Sequence, residues 1–500
     1  MSRESQRAGP PTPGAGTSGF TRRSLLQRAA ALGLAGSTLG ALDVLAPAPL
    51  RAAAAGAGGL PEIQFAIAHF TPPPVRVEGV RIRAAPVYTT FATIELTRTP
   101  TRADQSTLQE ALATIETAYP FSPSGVFTSV SYGIPYFERL PGGMAGPLVK
   151  AFIPGLSSEP QRYALEEAVP APTDVSPANP EVTKLRFNVP VRIEGNDMLV
   201  TLRSDHTEVL DDVLAWLAGE SETLAGGSVG ESGLGELITV TSRRLMFNQI
   251  GLPRAVADAQ GLPYAETINP KSSMWMSFSD QQVGTSGSPQ ITTFVGNGDA
   301  KLTTARHGSY FARASIQHLS HLILDLEQFY ERPGETYIRR AAEMFTANPV
   351  PSPGYPDQFT DGGGPALIPN VFEGPNAARY EAEARGTFDG EPHIGHMSAV
   401  QRSSRTANGV PIHIRADGPG FDALDVPDGS QQPKLHFSIF VPTADFFATM
   451  RRNQASPDLA GQHGVPARNL GLERFTTATR RQNFLVPPRH HRAFPLLEFT

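Results

Sequence analysis

Apolar residues recur along the chain with two spacings, one typical of strands and one typical of helices. Residues 87–96 are rich in β-branched and aromatic side chains, which predicts a strand. A helix with one apolar face is predicted next. This face consists of Leu108, Leu112, Ile115 and Tyr119. Asp104 or Thr107 is predicted to cap the helix and Pro120 to end it, and residues 126–132 then return as a strand.

The same order of elements recurs further along. Residues 198–202 and 237–241 predict strands, and a helix with an apolar stripe lies between them. The stripe consists of Val209, Val213, Trp216 and Leu217. Paired split β-α-β units are typical of a ferredoxin-like α+β sandwich. We therefore predict a first ferredoxin-like half over residues 60–250.

A second ferredoxin-like half is predicted over residues 251–500. Its predicted strands are 309–316, 435–441 and 483–486, and its predicted helices are 322–330 and a segment that contains Phe446, Phe447 and Met450. Loops rich in Pro, Gly and Ser separate the elements of both halves. The longest are 159–181, 219–235, 279–298 and 348–370. Loops of this length commonly cover or line a site.

The composition limits the possible chemistry. The 500 residues include no cysteine, which excludes disulfides, thiolate haem ligation, iron–sulfur clusters and cysteine-based zinc sites. Any metal ion must be held by His, carboxylate or tyrosinate. A net charge of −6 without long charged runs argues against a nucleic-acid partner.

The N-terminal segment carries an export pattern. Arg22 and Arg23 precede an apolar stretch over residues 29–45, which is typical of a twin-arginine signal. Paired arginines also occur in ordinary secretion signals. Small residues at 53–55 offer a cleavage site, so residues 1–56 are predicted to be signal and flexible N-terminus. We expect the twin-arginine export machinery as a partner and a secreted or periplasmic location. No stable membrane anchor is expected after signal removal, since no later apolar stretch approaches the ~20 residues of a spanning helix.

Two further patterns resemble chemical sites. His318 and His321 are three residues apart on a segment read as helical and could ligate a metal, but a helix-surface pair is the favoured interpretation because no third ligand is evident. Gly284 begins a Gly-x-Ser pattern that lacks the strand–turn–helix context of a nucleophile elbow.

Five short blocks, in the same order, resemble those of the dye-decolourising peroxidase superfamily. These blocks are residues 129–140, 195–200, 307–313, 434–440 and 483–488. In the third block His307 replaces the family's first Gly. The resemblance implies a haem-binding fold made of two ferredoxin-like halves, with haem b and its iron as the cofactor.

The resemblance also implies roles for individual residues. In the family a His ligates the haem iron, and an Arg on the opposite face of the haem follows it. His396 and Arg415 give the closer match in spacing, and His393 is the alternative ligand. Arg415 would stabilise negative charge on the peroxide. Arg402 is a candidate for pairing with a haem propionate.

One motif departs from the family pattern. The family's Gly-x-x-Asp-Gly-x-x-Asn-Pro segment, whose Asp shuttles a proton, corresponds here to residues 261–270. Ala265 stands at the Asp position, and Glu266 follows it as a candidate acid–base group. The resemblance implies an oxidoreductase that uses hydrogen peroxide to oxidise an organic reductant of unknown identity. The alternatives are a haem-binding protein with little or no turnover and a secreted α+β binding module that has lost the cofactor.

Overall fold

The computed structural model describes most of the chain from residue 59 onward. The described residues are 59–73, 75–77, 80–82, 85–176, 184–268, 270, 272–277, 287–297, 300–331, 412–455, 457–466, 470 and 472–500. The predicted signal segment lies outside the described residues, and so do His393, His396 and Arg402.

The structure contains strands and helices in alternation. The strands are β1 (Val75–Val77), β2 (Val80–Ile82), β3 (Tyr88–Leu96), β4 (Phe127–Tyr132), β5 (Arg192–Ile193), β6 (Met198–Ser204), β7 (Thr223–Leu224), β8 (Gly227–Ser228), β9 (Ile238–Phe247), β10 (Ser315–Leu324), β11 (Ile414–Arg415), β12 (Gly418–Asp422), β13 (Gln432–Val441) and β14 (Thr476–Val486). The helices are α1 (Arg102–Ala118), α2 (Ile134–Glu138), α3 (Pro147–Phe152), α4 (Thr207–Leu217), α5 (Leu252–Ala259), α6 (Leu326–Glu331), α7 (Ala444–Ala455) and α8 (Pro457–His463).

Eight strands form one antiparallel sheet that closes on itself. Their order is β10-β13-β12-β9-β3-β6-β4-β14, and β14 pairs again with β10. The short strands β5 and β11 are added to β14 and β13 at the margins. The fold is therefore mixed α/β around a closed antiparallel sheet.

Each part of the chain contributes a set of adjacent strands to the closed sheet. The strands before residue 250 are ordered β9-β3-β6-β4, and those after it are ordered β14-β10-β13-β12. The two sets are joined where β4 pairs with β14 and where β9 pairs with β12. One residue pair is in register at each junction, Tyr132 with Leu485 and Met246 with Gly420. The division of the chain into two ferredoxin-like halves near residue 250 stays a prediction.

Helix α1 begins earlier than its sequence pattern predicts. Thr101, rather than Asp104 or Thr107, is the N-cap, and the side chain of Asp104 bonds back to the Thr101 backbone N–H at 2.7 Å. Thr101 and Asp104 thus form a reciprocal capping box. The predicted apolar face is confirmed in Leu108, Leu112 and Ile115, which are buried.

The predicted elements around residue 315 are shifted. Residues 309–314 form turns, β10 runs from Ser315 to Leu324, and α6 begins only at Leu326. The prediction that His318 and His321 lie on a helix surface is therefore wrong, since both are fully buried on β10. Nearly every side chain of β10 is buried on one face or the other, and such strands lack the polar–apolar alternation that reveals a half-buried strand.

The helices cover the outer face of the closed sheet, where the main hydrophobic core lies. A second, smaller cluster joins side chains from five strands around the ring, which places it inside the sheet. This interior cluster consists of Phe91, Leu199, Met246, Leu319 and Phe484. Among the helices that the structure describes, none has the length and apolar character to cross a membrane.

Candidate functional site

The interior of the closed sheet is polar beyond this small cluster. Gln317 of β10 donates to the Ser438 hydroxyl at 3.1 Å and accepts from the Ser131 hydroxyl at 3.2 Å. These contacts link β10 to its neighbour β13 and across the interior to β4. Buried polar groups of this kind specify one arrangement when their hydrogen bonds are satisfied.

An ion-pair network continues through the interior. The fully buried guanidinium of Arg244 donates to both oxygens of Glu194, at 2.6 and 2.5 Å. Arg480 lies 3.3 Å from Glu194 and forms two hydrogen bonds with Asp425, at 2.6 and 2.7 Å. A buried charge requires such partners, because removal from water is costly. The charges of these four side chains balance one another.

Beside this network lie three side chains that we call the interior triad, namely His321, Asp422 and His436. His321 and His436 are directly opposite each other on β10 and β13, with ring centroids 5.1 Å apart. Nε2 of His321 lies 3.5 Å from Oδ2 of Asp422, and Nε2 of His436 lies 3.6 Å from the same oxygen. One ligand atom from each of the three side chains lies within 4.8 Å of the other two.

Neighbouring groups orient the interior triad. Nδ1 of His321 lies 3.0 Å from the Thr479 hydroxyl, which itself lies 2.9 Å from Asp425. Lys434 lies 3.5 Å from the other oxygen of Asp422 and donates to the Leu424 carbonyl at 2.6 Å. His321 is thereby held with its Nε2 towards Asp422.

The surroundings shift the protonation equilibria of the triad. Burial acts to raise the pKa of the Asp422 carboxyl, but His321, His436 and Lys434 outweigh it and hold that pKa below its usual range. Burial lowers the pKa of His436 well below its usual range, and His321 adds to the shift. Asp422 is therefore a carboxylate near neutral pH.

Gly420 allows His436 to occupy its position. A Cβ atom on Gly420 would lie 2.3 Å from Nε2 of His436, closer than atoms can approach. The carbonyl of Gly420 accepts a hydrogen bond at 3.0 Å from the buried indole of Trp275. This glycine is thus required by close packing on both sides of β12.

Arg415, predicted to face the haem, lies on β11 opposite Ile439 of β13. Its side chain is 21% exposed, and its Nε lies 3.9 Å from Oδ1 of Asp417. In the sequence Arg415 follows His396 by 19 residues, and its charge is largely buried.

Glu266 and Arg415 lie near different parts of β10. Glu266 is exposed on a single 3₁₀ turn, and the preceding Ala265 is buried in a cluster that includes Leu324, the last residue of β10. Arg415 lies level with His318, which is about 20 Å from Leu324 along the strand at about 3.3 Å per residue. The catalytic role of Glu266 stays a prediction.

Sequence reasoning missed the interior triad. His321 was assigned to a helix surface, and Asp422 belongs to no motif. One signal was present, because Lys434, His436 and Ser438 alternate along a predicted strand and so lie on one face. Polar residues on the inner face of a strand indicate a polar interior.

Comparisons with known proteins give one family match and several similar structures. No curated protein matches the chain. A dyp-type peroxidase protein of Shewanella oneidensis covers 86% of this chain and 99% of its own, at 15% identity and a TM-score of 0.46. A dye-decolorizing protein of V. cholerae covers 83% of this chain and 97% of its own, at 13% identity and a TM-score of 0.44. The encapsulated DyP-type peroxidase of Mycobacterium smegmatis covers 84% and 96%, at 13% identity and a TM-score of 0.44.

The family match covers most of the described structure. A family model aligns with residues 86–147 and 161–488, which include all eight strands of the closed sheet. The interior triad and its charged neighbours lie within the matched residues. The chain belongs to the family of unknown function DUF7405.

Proposed function

We propose that the protein is an exported haem-binding oxidoreductase that uses hydrogen peroxide to oxidise an organic reductant. One observation carries the proposal. The blocks that resemble dye-decolourising peroxidases contain or directly precede β4, β6, β10, β13 and β14, and in the sheet these follow one another as β6-β4-β14-β10-β13. Blocks that are far apart in sequence thus lie together in one part of the fold.

Three buried histidines are poor candidates for the haem ligand. Both ring nitrogens of His318 are occupied, by Asn483 at 2.7 Å and Ser320 at 2.5 Å. His321 and His436 lie inside the closed sheet, where Gly420 already packs against His436. The proposal assigns the iron to His396, with His393 as the alternative, because the spacing of these histidines to Arg415 resembles the dye-decolourising peroxidase pattern.

In the proposed reaction the cofactor and the side chains of the protein supply different functions. Haem b, when bound, supplies the redox chemistry. Arg415 supplies a permanent positive charge that binds peroxide and stabilises negative charge on its oxygens. Arg402 is proposed to pair with a propionate, and Glu266 to move a proton if its turn approaches the haem. The twin-arginine signal supports export of the folded protein, to a secreted or periplasmic location.

The absorbance spectrum of the full chain, produced with ample haem, tests the cofactor. We expect a Soret band that is lost in His396→Ala or, for the alternative ligand, in His393→Ala. The cofactor assignment is wrong if the wild type shows no Soret band or if both variants keep it.

Turnover is tested separately on the haem-loaded chain with hydrogen peroxide and a phenol. Removing the Arg415 charge in Arg415→Ala is expected to lower the rate by about 10²–10³-fold while the Soret band remains. Arg306→Ala is the control, since Arg306 is exposed on a turn. A haem-loaded wild type without turnover would instead establish a haem-binding protein.

A further inference from the structure

We propose that the interior triad binds one divalent transition-metal ion inside the closed sheet. The ligands are Nε2 of His321, Nε2 of His436 and a carboxylate oxygen of Asp422. This site is separate from the proposed haem, and it would hold β10, β12 and β13 together. The argument rests on the spacing, orientation and burial of these three side chains.

The distances within the triad match ligands of one ion. The nitrogen-to-oxygen distances of 3.5 and 3.6 Å exceed the ~2.7–3.2 Å of a hydrogen bond. Four ligands arranged tetrahedrally at about 2.0–2.1 Å from Zn²⁺ are about 3.4 Å from one another. The three side chains are thus spaced as ligands rather than as hydrogen-bond partners.

The orientation of His321 also favours a cation. The Thr479 hydroxyl lies 2.9 Å from Asp425, which as a carboxylate can only accept, so the hydroxyl proton points there. The hydroxyl oxygen therefore accepts from Nδ1–H of His321 at 3.0 Å. This contact turns Nε2 of His321 towards the Asp422 carboxylate, and a hydrogen bond at Nδ1 is typical of histidines that bind metals through the other ring nitrogen.

The imidazole of His436 is buried with its nitrogen atoms unused. Within the described part of the chain, neither Nδ1 nor Nε2 of His436 has a hydrogen-bond partner, and Nε2 of His321 has none. Both side chains are 0% exposed. Buried polar groups almost always have partners, so these atoms point to a missing one.

The charges around the triad leave Asp422 available to a metal ion. Asp425 is paired with Arg480, and Glu194 with Arg244. Lys434 contacts the oxygen of Asp422 that faces away from the histidines, and its ammonium is engaged by the Leu424 carbonyl. Lys434 thus pairs with one oxygen of Asp422 at 3.5 Å, and the other oxygen is the one nearest the two histidines.

The donor set indicates the class of ion. Two imidazoles and one carboxylate suit Zn²⁺ and the divalent ions of Co, Mn and Fe, whereas Ca²⁺ and Mg²⁺ prefer oxygen ligands. The Asp422 side chain is 23% exposed, which leaves an approach from solvent and room for water as a fourth ligand. We commit to a Zn²⁺-type ion.

The test uses the full chain expressed in medium supplemented with Co²⁺. Cobalt, zinc and iron are then measured separately by elemental mass spectrometry, so that haem iron is not counted. We expect about one equivalent of Co²⁺ plus Zn²⁺ per chain, with the visible absorption of low-coordinate Co²⁺. Asp422→Asn, which preserves the shape of the side chain, and His436→Gln are expected to hold less than about a tenth of that amount.

His318→Gln is the matched control, since His318 lies on the same strand and is equally buried but has both nitrogens occupied. It should keep the metal. A chelator should lower the melting temperature of the wild type but not that of Asp422→Asn. A folded wild type without metal overturns the proposal, as does full metal content in a folded Asp422→Asn chain.

Discussion

Arg244 and Glu194 form an ion pair inside the closed sheet, in which Nη2 of the guanidinium donates to both carboxylate oxygens, at 2.6 and 2.5 Å. Arg244 lies on β9, whereas Glu194 follows β5, which pairs with β14. Both residues belong to the first part of the chain, and the pairing of β5 with β14 connects their ion pair to the second part. In the described residues Nε and Nη1 of Arg244 have no hydrogen-bond partner, so the guanidinium depends on Glu194.

Glu194→Gln is expected to lower the free energy of unfolding by about 3–5 kcal/mol, because it leaves a buried guanidinium without its counter-charge. Urea unfolding followed by circular dichroism measures the change. Glu159→Gln is the control, since Glu159 is 57% exposed and should change stability by less than about 1 kcal/mol. If both substitutions lowered the free energy of unfolding equally, the buried ion pair would contribute no more to stability than an exposed one.

Gly420→Ala is expected to destabilise the protein by about 1–3 kcal/mol, because its Cβ would overlap Nε2 of His436. The displaced imidazole should also lower the metal content of the interior triad. Gly195→Ala is the matched control, because its Cβ would meet only an atom of Pro135 at 3.9 Å. Wild-type stability and metal content in Gly420→Ala would contradict the packing described for β12.

Thr101→Ala is expected to lower the free energy of unfolding by about 1 kcal/mol through loss of the α1 cap. Thr107→Ala should have a smaller effect, since Thr107 is exposed and its hydroxyl bonds to the Ala103 carbonyl within the helix. The pair of variants distinguishes the cap in the structure from the one that the sequence pattern predicts. A larger loss in Thr107→Ala would favour the sequence-based cap.

The buried His318 is expected to make the protein less stable as the pH falls below about 6.5. Burial lowers the pKa of His318 well below its usual range, the charges of Arg481 and Arg451 add to the shift, and the Asn483 hydrogen bond partly opposes it. The unfolded chain binds a proton near pH 6.5 and the folded chain does not. This one group therefore costs about 1.4 kcal/mol per pH unit below that point.

The measurement is urea unfolding at several pH values between about 7 and 4. His318→Gln is expected to be less stable at pH 7, since it loses the stacking on Phe447, but to show a shallower pH dependence. His206→Gln, at an exposed position, should keep the wild-type slope. Equal slopes in the wild type and His318→Gln would mean that another group is responsible.

The regular elements with one apolar face could be predicted from the sequence. α1 and α4 lie where their apolar stripes predict them, because each helix buries one face. β3 and β4 are almost entirely buried, and they were predicted from their β-branched and aromatic residues rather than from alternation. β10 is also buried on both faces, so no polar–apolar alternation marks its bounds. Such a segment cannot be distinguished from a buried helix by periodicity.

The interior triad could not be predicted for a different reason. His321, Asp422 and His436 lie on three strands, and their proximity depends on the order in which those strands pair. The order in which strands pair cannot be deduced from the local sequence of each strand. Gly420 shows the same limitation, since its small size matters only because His436 lies opposite.

The position of β14 in the closed sheet has a consequence for biosynthesis. β14 pairs with β10 and β4, so both strands keep an open edge until the ribosome has passed residue 486. Open edges of long strands are sites of aggregation. Nascent chains that stall before Thr476 should therefore depend on chaperones, and the closed sheet can form only after β14 has left the ribosome.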